Sequence, residues 1–136
     1  QLARLPGFLA RRRALADAYT DALSDLDGVT LPVETPGARS AWHLYALRID
    51  PAAFRGGRAA LYRRLHERGI GVQVHYVPVH LHPYYRRTAG TRFGDLPVAE
   101  AAYLGLLSLP LFASMNDEDL ARVVETLRDE LRRARR

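Results

Sequence analysis

The sequence contains no lysine; every one of its 20 Lys/Arg positions is arginine. Cysteine is absent too, asparagine occurs only as Asn116, and isoleucine only as Ile49 and Ile70. Without cysteine there is neither a disulfide framework nor a thiolate metal site, which fits the cytoplasm. No apolar run approaches the ~20 residues that a membrane span needs, and no basic segment leads into an apolar one as in a signal peptide. Because the first residue is Gln1 and not methionine, a processed or truncated piece is expected. The formal charge of +5 invites a nucleic-acid reading. The arginines, however, are spread over several segments, and with abundant Ala, Leu, Gly and Pro they look like the product of a GC-rich coding bias. A solvated surface accounts for them better than a phosphate-binding stripe, and no nucleic-acid partner is expected.

At 136 residues, 48% hydrophobic and 26% charged, the chain suits one globular domain with a real core. Leu5, Phe8, Leu9, Leu15, Ala16, Tyr19, Leu23 and Leu26 keep a 3.6 period and predict a long amphipathic helix, with Pro6 near its start. Arg12 interrupts that stripe and is expected to snorkel at its edge. Gly28 ends the element, Val29 to Leu31 suits a short strand, and Trp42 to Ile49 alternates as a longer one whose buried face the pattern leaves open. Arg58 to Arg68 reads as a helix closed by Gly69 as a left-handed residue, with Ile70 folding back on Leu65. Arg86 to Gly94 has no periodicity and reads as a loop. A helix from Asp95–Pro97 to about Leu107 follows, and then an extended Ser108 to Leu111 that Pro110 would tolerate at a sheet margin. Asn116 caps a last helix with Asp117, Glu118 and Asp119 in its first turn, and Glu118–Arg122 and Asp129–Arg133 stand at i,i+4 spacing.

The polar aromatics gather between Gly69 and Tyr85, with three of the five histidines. Val72 to Tyr76 fits a strand with Val72, Val74 and Tyr76 on one face and Gln73 and His75 on the other. Pro78 stops the ladder, so His80, His82, Tyr84 and Tyr85 are delivered just beyond a sheet edge. His75, His80 and His82 lack the spacing and the carboxylate support of a metal site. No Gly-x-Ser-x-Gly elbow and no glycine-rich phosphate loop is present. What remains is an aromatic, imidazole-bearing lip suited to a polar ring such as a sugar or a base.

Ser40-Ala-Trp-His-Leu-Tyr45, the run Gly69 to His80, Pro83-Tyr-Tyr85, Pro97-Val-Ala-Glu100 and Leu107-Ser-Leu-Pro-Leu111 resemble, in that order, the C-terminal part of the DegT/DnrJ/StrS nucleotide-sugar aminotransferases. The likeness spans essentially the whole chain. Val-His-Tyr-x-Pro-Val-His resembles the subgroup that aminates C4 of a UDP-4-keto-6-deoxy-N-acetyl sugar on the way to pseudaminic acid, although His82 stands where glutamine is typical there. The resemblance implies an α/β (α+β) fold: the small C-terminal domain of a fold-type I enzyme, a short, mostly antiparallel sheet with flanking helices. Residues 1–27 would be the helix linking it to the large domain, and 28–136 the body. It implies pyridoxal 5'-phosphate as cofactor, L-glutamate as donor, a nucleotide-sugar substrate and a homodimer. The imine-forming lysine would lie in a large domain outside this chain, so no residue here is assigned to catalysis, cofactor or metal, and the chain alone is expected to be inactive. A substrate-side role carries over to His75 and Tyr76, and to His43, His80, Tyr84 and Tyr85. The residues read alone also allow a non-catalytic sugar- or nucleotide-binding module.

Overall fold

The computed structural model describes residues 2–136. A 3-10 turn, Leu2–Arg4, leads into helix α1, Leu5–Leu23, with Pro6 in the first turn, where a missing N–H costs nothing. Leu15, Ala16, Tyr19 and Leu23 are its buried face. Strand β1, Val29–Thr30, pairs antiparallel with β2, Tyr45–Ile49, and β2 pairs antiparallel with β3, Leu106–Leu109. The register sets Val29 opposite Ile49, and Tyr45 opposite Leu109. Helices α2, Gly57–Glu67, α3, Pro83–Thr88, α4, Pro97–Gly105, and α5, Asp117–Ala134, complete the chain.

On β2 the side chains of Tyr45, Leu47 and Ile49 are the buried set, which settles the face that the alternation left open. They share one core with Tyr19 of α1, Leu61 and Leu65 of α2, Leu107 of β3 and Leu127 of α5. Tyr19 and Tyr45 lie with ring centroids 5.0 Å apart, and their hydroxyls meet the Pro110 carbonyl at 2.8 Å and Thr20 Oγ1 at 2.9 Å. Burial raises the pKa of both phenols above the usual tyrosine value; the Thr20 bond to Tyr45 opposes this. Helix α5 opens with the expected Asn116 cap: Asn116 Oδ1 accepts from the Asp119 N–H at 2.7 Å while the Asp119 carboxylate accepts from the Asn116 N–H at 3.2 Å. Among the described residues no helix is long and apolar enough to cross a membrane.

Several expectations are corrected. Val72 to Tyr76 is not a strand: Gln73 makes a single bridge to Ser108 and the chain then leaves the sheet. The strand expected from Trp42 begins at Tyr45, because Trp42 takes a positive φ of 46° that no strand accommodates. The loop expected over Arg86 to Gly94 is helical as far as Thr88, with Pro83 at the start and Thr88 Oγ1 donating to the Tyr84 carbonyl at 3.0 Å. Helix α4 stops at Gly105, not near Leu107, and the strand expected from Ser108 begins at Leu106. Arg12 does not snorkel: Nη1 donates to the carbonyls of Trp42, His43 and Leu111 at 3.0, 3.2 and 3.2 Å. Asp129–Arg133 forms at 3.2 Å, whereas Arg122 donates to the Arg68 carbonyl and no Glu118 pair forms among the described residues.

Candidate functional site

Helix α2 delivers the chain to the site through a two-bond ending. Gly69, at φ +76°, donates to the His66 carbonyl and Ile70 to that of Leu65, each at 2.9 Å. Gln73 and Ser108 exchange backbone bonds of 3.0 and 2.8 Å on the free edge of β3. Beyond that rung, residues 76–88 form an arch: a 3-10 turn at Val79–Leu81 and then α3.

His75 stands at the foot of the arch, half-buried, with Nδ1 3.0 Å from Ser108 Oγ; the opposite ring nitrogen is left for another partner. Its ring meets Tyr76 edge-on, with centroids 4.7 Å apart, and Tyr76 is 72% exposed. Tyr84 and Tyr85 are likewise exposed, their rings perpendicular at 5.2 Å. Tyr76 is thus a surface residue; the alternation that set it on one face with Val72 and Val74 ends when the chain leaves the sheet.

His80 behaves differently from its neighbours. It is only 7% exposed, and Nε2 lies 2.7 Å from Oε1 of Glu100, itself 2% exposed. The same carboxylate accepts the N–H of Gly94 at 2.9 Å and that of Leu96 at 3.2 Å. Burial by itself would raise the Glu100 pKa. The hydrogen bonds from His80, Gly94 and Leu96 outweigh it and hold the carboxyl below the usual range. His82 contacts the Val77 carbonyl at 3.1 Å, so the three histidines of the stretch have three different partners. Among the described residues no group of three His, Cys, Asp or Glu could hold a metal ion.

His43 is exposed but is not joined to the arch. It precedes β2, whose first residue Tyr45 stands opposite Leu109, and among the described residues no hydrogen bond joins its side chain to the arch. Its backbone is fixed by Arg12, and the neighbouring Trp42 ring packs 5.7 Å from that of Tyr45. A cavity of ≈ 350 Å³ lined by Ile70, Pro110, Phe112, Met115, Arg122 and their neighbours includes none of these candidates.

Two polar residues at the site were not singled out from the sequence. Ser108 lies between leucines in a strand, the pattern of a lone polar group on a buried face. Glu100 reads as a first-turn acid favoured by the helix dipole, and only the fold shows that its carboxylate is spent on His80 and the loop before α4.

This exposed, sheet-anchored aromatic arch sits in a fold shared with sugar aminotransferases. The DegT/DnrJ/EryC1/StrS aminotransferase family matches residues 1–128, and the chain belongs to that family. It is 39% identical over 130 residues to the spore coat polysaccharide biosynthesis protein SpsC of Bacillus subtilis, covering 95% of this chain and 33% of SpsC. Its structure is similar to that of S. venezuelae DesV in complex with a ketimine intermediate, at 37% identity and a TM-score of 0.85, covering 96% of this chain and 33% of DesV. It is similar also to Helicobacter pylori PseC, an aminotransferase involved in the biosynthesis of pseudoaminic acid, at 26% identity and a TM-score of 0.89, covering 98% and 35%. The chain therefore spans about a third of the length of the relatives it matches. Members of the family are pyridoxal-phosphate-dependent aminotransferases, and solved neighbours include both the PLP form and the PMP form. The residues present do not fit the cofactor's covalent attachment, since the chain has no lysine amine to form the imine.

Proposed function

We propose that this chain supplies the substrate-facing small domain of a cytoplasmic, homodimeric aminotransferase that transfers the amino group of L-glutamate to C4 of a UDP-4-keto-6-deoxy sugar, in the branch leading to pseudaminic acid. The segment up to residue 27, built on α1, links it to the large domain, and residues 28–136 form the α/β body. Tyr76, Tyr84, Tyr85 and His75 contact the nucleotide sugar from the arch, His43 from the segment entering β2, and His80 supports the site from beneath. The observation that carries this reading is the exposure of three tyrosines on one short arch in a member of a sugar-aminotransferase family. Phenol and imidazole groups offer stacking faces together with hydrogen-bond donors, the combination that orients a keto sugar without consuming a charge. The likeness to PseC supports the sugar class; the family's chemistry supports the donor and the reaction.

The test uses the whole reading frame in which the chain lies, loaded with cofactor. Amination of a UDP-4-keto-6-deoxy-N-acetyl sugar by glutamate is the expected activity. Tyr76→Ala should raise KM for that sugar by roughly tenfold while leaving the glutamate half-reaction within about twofold. Binding of the sugar nucleotide without amination would favour a non-catalytic module, and an unchanged KM in Tyr76→Ala would remove the arch from the substrate site.

A further inference from the structure

The arch that carries the tyrosines has almost nothing holding it. From Tyr76 to Thr88, hydrogen bonds stay within the segment: Leu81 N–H to the Pro78 carbonyl, His82 N–H to Val79, Arg86 N–H to His82, and Thr88 Oγ1 to Tyr84. Apart from the Ala89 N–H to the Tyr85 carbonyl, which closes α3, only two leave it among the described residues, and both belong to His80. Its imidazole meets the Glu100 carboxylate at 2.7 Å, and its carbonyl accepts from Thr91 Oγ1 at 2.6 Å. Packing adds little, because His80 is the single buried residue between Tyr76 and Thr88. At the other end of the contact Glu100 is rigidly held: it lies in the first turn of α4, and it accepts from Gly94 and Leu96 as well. Glu100 thus joins three separate pieces of chain, namely the arch, the loop at 91–96 and α4.

We infer that Glu100 is a positioning residue for the substrate-binding arch, acting through His80 to fix where Tyr76, Tyr84 and Tyr85 present their rings. The inference rests on the proposed sugar-binding role of the arch. Glu100 is only 2% exposed, and its carboxylate already accepts from His80, Gly94 and Leu96. A carboxylate is suited to this position because one group accepts from an imidazole and two backbone N–H donors at once, each bond strengthened by its charge. An amide is a weaker acceptor and carries an N–H2 that would face those donors. Because no sheet ladder runs through the arch, loosening this one peg should free the whole tyrosine-bearing segment while the core stays folded.

The experiment compares wild type, Glu100→Gln, His80→Gln and the double variant in the cofactor-loaded protein made from the whole reading frame. Three readouts are taken: limited trypsin cleavage after Arg86 and Arg87, KM and kcat for the UDP-4-keto sugar, and the glutamate half-reaction followed by the cofactor spectrum. Expected are roughly tenfold faster cleavage at Arg86 and Arg87, a KM for the sugar raised by roughly tenfold, and a glutamate half-reaction within about twofold. The double variant should be no worse than the worse single one, since the two side chains act as one unit. Unchanged cleavage in a folded Glu100→Gln protein overturns the positioning role whatever the arch binds. Faster cleavage with unchanged sugar KM leaves the peg in place but overturns the sugar-binding reading on which its functional meaning depends. Should Glu100→Gln fail to fold, His80→Gln reads the same contact from the arch side of the pair, and native-like cleavage in it overturns the inference.

Discussion

The Nη1 atom of Arg12, midway along α1, lies 3.0 Å from the carbonyl oxygen of Trp42, a residue held at φ 46°. The same guanidinium nitrogen reaches the carbonyls of His43 and Leu111, so one side chain ties the first helix to the segment entering β2 and to the segment leaving β3. Arg13 Nε donates to the Ser40 carbonyl at 3.1 Å and Arg11 to that of Met115 at 2.6 Å, which makes the Arg11–Arg13 run a set of pegs. Replacing Arg12 with Ala leaves half-buried carbonyls without a charged donor, and should destabilise the fold by about 2 kcal/mol. Arg12→Lys should recover only part of this, because the lysine side chain is one atom shorter and its ammonium falls short of the position that Nη1 holds among the three carbonyls. Urea unfolding of the three proteins checks both statements.

Gly105 ends α4 because nothing larger fits there. A Cβ at this position would lie 2.5 Å from the Ile49 carbonyl oxygen. Gly105→Ala must push α4 off β2 and should cost about 2 kcal/mol. Gly7, inside α1, is the opposite case: nothing lies within 4 Å of its would-be Cβ. Gly7→Ala should therefore stabilise the protein by about 0.5–1 kcal/mol through helix propensity. Opposite shifts in urea midpoint are expected, and two shifts of the same sign would contradict the packing at Gly105.

Acid should unfold the chain through carboxylates whose pKa is lowered in the native state. Glu100 is one; Asp129 is another, lowered chiefly by its hydrogen bond from Arg68 at 2.8 Å. Each binds a proton more readily in the unfolded chain, so the stability it contributes is present above the ordinary carboxylate value near 4 and is lost as pH falls through it toward the lower native value. The slope of stability against pH between about 5 and 3 should be shallower in Glu100→Gln than in wild type. Denaturant titrations at fixed pH values measure this, and an unchanged slope would count against the bonded, ionised Glu100.

At the alkaline end the sign reverses. Tyr19 and Tyr45 keep their protons longer in the native state than in the unfolded one, so stability is full below the free phenol value of about 10 and falls as pH rises past it. Tyr19→Phe should flatten that branch, at the cost of the bond to the Pro110 carbonyl. Phenolate absorbance recorded together with unfolding should show the two buried phenols titrating only with loss of structure.

Asn116→Ala removes one arm of a reciprocal cap and should cost about 1 kcal/mol, whereas Asn116→Asp should be nearly neutral, since it keeps the acceptor oxygen. Thermal melts resolve the difference.

The amphipathic period of α1, the Gly69 ending of α2 and the Asn116 cap of α5 were written in the sequence because each depends on neighbours a few residues away: a helical face, a left-handed residue, a side chain reaching its own third N–H. The aromatic and imidazole residues of the site were equally legible as residue types. The missing lysine alone determined that this chain cannot hold pyridoxal phosphate as an imine. Which residues form the surface and which form its support was decided only in three dimensions. Ser108 is 33 positions from His75, and Glu100 is 20 from His80. No local pattern encodes those contacts, so alternation put Tyr76 on one face with Val72 and Val74 and delivered His80 just beyond a sheet edge. Once the chain leaves β3 after a single rung, the acceptors available at the end of each path set the outcome. Tyr76 goes to solvent, and His80, meeting a buried carboxylate, becomes the peg beneath it.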